Sequence, residues 1–113
     1  MNLDSAVFYS HDIEKVTPFY QDVLGLKLEY KTANFVSFIF ENGARLGIKN
    51  QSDEREVPGH QTVFIAVDDI ESWFNKCKAN HAIEMYKTLE TKPWGREFSI
   101  LDPDQNKMLF ISR

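Results

Sequence analysis

The sequence predicts an α+β domain made of two copies of one βαβββ module, and three observations carry that expectation. The chain repeats itself: "AVFYSHDIE" (Ala6–Glu14) resembles "VFIAVDDIE" (Val63–Glu71), and "ENGARLGIK" (Glu41–Lys49) matches "PDQNKMLFI" (Pro103–Ile111). In each copy one strand-like apolar run precedes a helical pattern and three more runs follow it. With 113 residues, 42% of them hydrophobic and 13% aromatic, the chain suits one folded domain that buries roughly two-thirds of its unfolded surface. Module one spans 1–50 and module two 60–113. The polar run 51–59, ending in Pro58-Gly59, reads as a linker.

The elements follow in order. Leu3–Tyr9 alternates as a strand. The apolar positions Val16, Phe19, Tyr20, Val23 and Leu24 have helical spacing. Pro18 lacks an N–H, so the expected helix starts there, with Thr17 as N-cap and "DIEKV" as a preceding turn. Gly25 is a natural C-terminal stop. Strands are expected at Leu26–Tyr30, Asn34–Phe40 and Ala44–Lys49, the last two joined by the Asn42-Gly43 turn. Module two repeats this with a strand at Gln61–Val67 and a helix capped by Asp69. That helix carries Ile70, Trp73, Phe74 and Cys77 on one face. Strands then fall at Glu84–Leu89, Glu97–Leu101 and Lys107–Ile111. Asp12 pairs with Asp69 in the repeat, and Gly43 with Gln105.

Composition excludes several function classes. The net charge is −4 and the pI about 5.3, so no basic surface for nucleic acid or anionic lipid is expected. The single cysteine, Cys77, cannot form an internal disulfide and shares an apolar stripe with Trp73 and Phe74, where it reads as a small buried hydrophobe. "MNLDSAVF" has no basic segment and is interrupted by Asp4, unlike a signal peptide. No apolar run reaches the roughly 20 residues of a membrane span, so a cytoplasmic protein is expected. His11, His60 and His81 fall in turns and loops and read as solvated. Phosphate loops, Ser-His-Asp order and CxxC pairs are absent from the sequence.

"FYQDVLGLKLEY" and "WGREFSILDPDQN" resemble the vicinal oxygen chelate superfamily, which holds glyoxalase I, bleomycin-resistance proteins, fosfomycin-resistance enzymes and extradiol dioxygenases. The resemblance spans essentially the whole chain and is specific for the fold, not for an activity. It implies that the two modules form a cup-like, eight-stranded mixed sheet with helices outside. It also implies that "DPDQN" is the last hairpin, with Gln105 where the family usually has glycine. Either Gln105 holds φ > 0 there, at a strain on the order of 1 kcal/mol, or the turn has changed type.

The family's metalloenzymes hold a divalent metal in the cup through His, Glu or Gln on the first and fourth strand of each module. Counting from the matched motifs, those positions are Ser5, Gly47, Thr62 and Leu109. Glycine and leucine offer no side-chain donor, so no metal or other cofactor is expected.

Alternation assigns the remaining cup face. Tyr9, Phe64, Leu109 and Ile111 would supply apolar wall, and Arg45 and Lys49 positive charge. The expected ligand-binding set is therefore Ser5, Tyr9, Arg45, Lys49, Thr62, Phe64 and Leu109. The expected function is metal-free binding of a small organic, anionic or aromatic compound, resembling the bleomycin-resistance members. Its alternative is a lyase or dioxygenase-type enzyme of the same superfamily. Edge strands left open by paired modules lead to the expectation of a homodimer.

Overall fold

A computed structural model describes all residues, Met1–Arg113. Module one comprises β1 (Ala6–Ser10), α1 (Ile13–Pro18), β2 (Lys27–Lys31), β3 (Phe35–Ile39) and β4 (Arg45–Asn50). Module two comprises β5 (Thr62–Ala66), α2 (Ile70–Ala79), β6 (Glu84–Lys92), β7 (Gly95–Leu101) and β8 (Lys107–Ser112). The α+β class and the two βαβββ modules are as expected. The eight strands divide into two four-stranded mixed sheets, ordered β1-β4-β3-β2 and β5-β8-β7-β6. In each, the first strand runs parallel to the fourth and the other pairs are antiparallel. No strand of one module pairs with the other module, so β1 and β5 each keep one open edge.

Each sheet carries its helix on one face. Phe8, Leu46 and Ile48 are fully buried among Ile13 and Val16 of α1. In module two Trp73 stacks on Phe110, with ring centroids 5.8 Å apart, and Phe74 meets Phe98 edge-on at 5.4 Å. Full burial of one such side chain contributes about 1.5–3 kcal/mol. Cys77 lies in the same core, 1% exposed, and burial raises its thiol pKa, which suits an inert packing residue. One connected apolar core draws on both modules.

Two local expectations need correction. The first helix begins at Ile13, not Pro18: Asp12 is its N-cap and accepts from the Glu14 N–H at 3.0 Å. Pro18 sits inside. Its missing N–H interrupts the ordinary ladder, and Phe19–Val23 continues as a π-helical turn, with Leu24 N–H donating to Phe19 C=O. Gly25 then ends the helix at φ 75°. The first strand begins at Ala6, not Leu3, because its partner β4 begins at Arg45 and Ala6 already lies opposite Leu46. Leu3 is left 93% exposed.

The two modules are joined by the turn between β7 and β8. The Asp102 carboxylate accepts from Tyr20 Oη at 2.5 Å and from the Asp104 and Asn106 N–H groups, each at 2.8 Å. Asn106 donates through Nδ2 to Tyr9 C=O at 2.8 Å, and its Oδ1 accepts from the Gly59 N–H at 2.8 Å. Asp104 Oδ1 accepts from the His11 N–H at 3.1 Å. Gln105 adopts φ 71°, the sole positive φ outside glycine, so the turn keeps the family geometry at a cost on the order of 1 kcal/mol.

Candidate binding site

The face of each sheet turned away from its helix is an open half-cup. In module one cross-strand pairing puts Val7, Tyr9, Ser37, Arg45, Gly47 and Lys49 on this face, as alternation predicts. In module two Thr62, Phe64 and Ala66 stand beside Lys107, Leu109 and Ile111.

Module one holds an open cavity of about 310 Å³ lined by Ser5, Glu29, Tyr30, Phe35, Ser37 and Arg45, among others. Module two holds one of about 290 Å³ whose lining includes His60, Gln61, Thr62, Tyr86, Gln105 and Lys107. Of the expected site residues, Ser5 and Arg45 thus reach one cavity and Thr62 the other. Tyr9 and Lys49 lie opposite one another at the far end of the first face and line neither. Phe64 is 59% exposed, and Leu109, 8% exposed, sits between it and Ser99.

The cups are less positive than expected. Arg45 Nε donates to both Glu29 carboxylate oxygens, at 3.0 and 2.8 Å, and Glu29 also accepts from Ser37 Oγ at 2.8 Å. The Arg45 and Ser37 hydrogen bonds hold the Glu29 carboxyl below its ordinary pKa. Lys49 Nζ lies 2.6 Å from Glu56 in the linker, and that hydrogen bond, with those from Ser52, lowers the Glu56 pKa to about 2. The two residues expected to supply positive charge to the cup are each matched by a carboxylate. A bulge in β2 between Leu28 and Tyr30 brings Glu29 onto the face, and the folded-back linker brings Glu56 to Lys49. Simple alternation signals neither.

The residues at the family's metal positions do not fit a metal. A Cβ built on Gly47 would lie 2.3 Å from Cζ of Phe35, so an aromatic ring fills the space where a longer ligand side chain would project. Leu109 has no donor atom. Ser5 Oγ donates to Asp4 at 3.3 Å, and Thr62 is exposed. No three His, Cys, Asp or Glu side chains converge anywhere in the chain.

Sequence reasoning placed Tyr9 and Phe64 on these faces but missed Tyr30 and Tyr86. Tyr30 and Tyr86 are each 51% exposed, and Tyr30 stacks on Phe35 with centroids 6.0 Å apart. Both tyrosines belong to strands β2 and β6, whose bulges break the period-two pattern. His11, His60 and His81 are exposed, as their loop positions predict.

A glyoxalase-like domain family model matches residues 3–112. Among solved structures, the antibiotic-binding protein TnmS3 from Streptomyces sp. CB03234 is similar at 17% identity and TM-score 0.87, with 99% of this chain and 95% of that one covered. The bleomycin-binding protein of Streptomyces verticillus, solved with copper(II)-bleomycin, is similar at 23% identity and TM-score 0.74, covering 100% and 98%. A lactoylglutathione lyase from Agrobacterium tumefaciens is similar at 20% identity and TM-score 0.80, covering 98% and 92%. At these identities the likeness shows the fold. No curated protein matches the chain. No helix is long and apolar enough to cross a membrane.

Proposed function

Because the chain belongs to the glyoxalase-like domain family, we propose that it is a cytoplasmic, metal-free binding protein for a small aromatic compound, which it holds in a cup that two copies complete together. One observation carries this reading: Tyr30, Phe64 and Tyr86 stand 51%, 59% and 51% exposed on the concave sheet faces, where a single chain leaves them uncovered. Exposed aromatic surface gathered beside a few polar groups suits a small organic ligand. The antibiotic-binding and bleomycin-binding proteins share the fold, which supports ligand capture as a use of such a cup.

The open edges of β1 and β5 support the homodimer. Module one of one copy would meet module two of the other, and each dimer would hold two cups. Ser5, Tyr9, Arg45 and Lys49 would face Thr62, Phe64 and Leu109 across each cup. A metal-dependent lyase or dioxygenase would need donors that Gly47 and Leu109 lack.

The test joins sedimentation with a thermal-shift screen of aromatic metabolites and antibiotics. A dimer is expected, with hits stabilising the wild type by about 2.7 kcal/mol at one hundred times Kd. Phe64→Ala should lose those hits without unfolding. A monomer that no aromatic compound stabilises, or hits indifferent to Phe64→Ala, would overturn the proposal.

A further inference from the structure

The two half-cups are related by the internal repeat, and their differences locate the polar end of the ligand. Arg45 opens β4 opposite Ile39, and Lys107 opens β8 opposite Leu101, so the two cations occupy the same place. Glu29 sits in the β2 bulge, and Tyr86 sits in the matching β6 bulge. Module one thus gives its cation a carboxylate partner 2.8 Å away. Module two gives Lys107 an aromatic ring instead, with Nζ 5.5 Å from the Tyr86 centroid.

Lys107 makes no ion pair and donates no side-chain hydrogen bond. Arg45, the cation that lines the module-one cavity, makes both. Gln61 lines the same cavity, and its Oε1 acceptor is buried without a donor. An unpaired buried acceptor is costly, on the order of 1–3 kcal/mol, and a ligand hydroxyl would relieve it.

We infer that module two recognises an aromatic acid carrying a neighbouring hydroxyl. Lys107 takes the carboxylate, Gln61 Oε1 accepts the hydroxyl proton, and Tyr86 and Phe64 cover the ring. This rests on the binding function proposed above and adds the ligand's chemical class. The Glu29–Arg45 pair, already neutral, leaves module one to hold the ligand's uncharged part. A partly dehydrated cation without a counter-ion gains most from a charged acceptor, which makes Lys107 the determinant of acid over amide.

The experiment measures Kd by NMR titration for two matched sets of probes: salicylate with salicylamide, and benzoate with benzamide. Wild type should prefer each acid over its amide and salicylate over benzoate. Lys107→Met should weaken salicylate at least 10-fold and leave salicylamide within 2-fold, and Lys107→Arg should restore most of the loss. Gln61→Met should abolish the preference for salicylate over benzoate. The inference is overturned if acids and amides bind wild type equally, or if Lys107→Met weakens both alike. If none of the probes binds wild type, this inference is wrong, and the broader binding function then stands or falls with the thermal-shift screen.

Discussion

The hairpin Phe40–Ala44 in module one and the hairpin Asp102–Asn106 in module two have the same backbone. Phe40 N–H donates to Ala44 C=O and Gly43 N–H to Phe40 C=O; Asp102 and Gln105 repeat both bonds with Asn106 and Asp102. Gly43 and Gln105 both take positive φ, 85° and 71°. Their side chains live in opposite surroundings. Glu41, Asn42, Gly43 and Ala44 are all exposed, and the first turn bonds only to itself through Asn42 Oδ1 and the Ala44 N–H. Asp102 and Asn106 are 1% and 0% exposed and reach Tyr20, Tyr9 and Gly59. A loop that only closes a hairpin in one copy holds the two modules together in the other, by side-chain substitution on an unchanged backbone.

The largest expected difference comes from the amides. Asn106→Ala would leave the Gly59 N–H and the Tyr9 C=O without partners in a buried place, at a cost of about 3 kcal/mol. Asn42→Ala in the exposed turn should cost about 0.5 kcal/mol. Urea unfolding of both variants checks this; equal losses would mean that the second turn does not join the modules. An exchange at the positive-φ position comes next. Gly43→Gln should destabilise by on the order of 1 kcal/mol, and Gln105→Gly should stabilise by less than that, because glycine's greater freedom in the unfolded chain offsets part of the relief.

The smallest effect is in pH. Burial pushes the Asp102 carboxyl above its ordinary value of 3.8, although hydrogen bonds from Tyr20 and Asn106 oppose the shift. The folded state therefore holds this proton to higher pH than the unfolded chain does. Its stabilising contribution is complete below pH 3.8 and declines as pH rises through the folded pKa. Asp102→Asn should remove that decline, read as a flatter plot of unfolding free energy against pH. The Phe40 position of module one has nothing to titrate.

The modules, the strands and the faces of β1, β4, β5 and β8 were legible because hydrophobic alternation and the internal repeat are local patterns. Asp12 and Asp69 were legible as equivalent positions after the first strand of each module for the same reason, but that Asp12 itself caps the first helix was not; both accept a helix N–H. Pro18 misled because a tertiary core that buries Val16, Phe19 and Tyr20 together keeps the helix continuous, and a π turn absorbs the missing donor. The charge of the site was not legible. Glu29 reaches Arg45 through a bulge, and Glu56 reaches Lys49 through a folded linker, and neither device has a period. Lys107 was not legible as a site residue, because what distinguishes it is the ring of Tyr86 where its counterpart Arg45 has a carboxylate.

The bond from Tyr20 to Asp102 spans 82 residues of chain. A ribosome making this protein places the hydroxyl long before its acceptor. Through most of synthesis the first module carries a polar group and an apolar helix flank that cannot yet be covered, and such half-made domains are open to wrong partners. Another nascent copy offers the same turn as the chain's own.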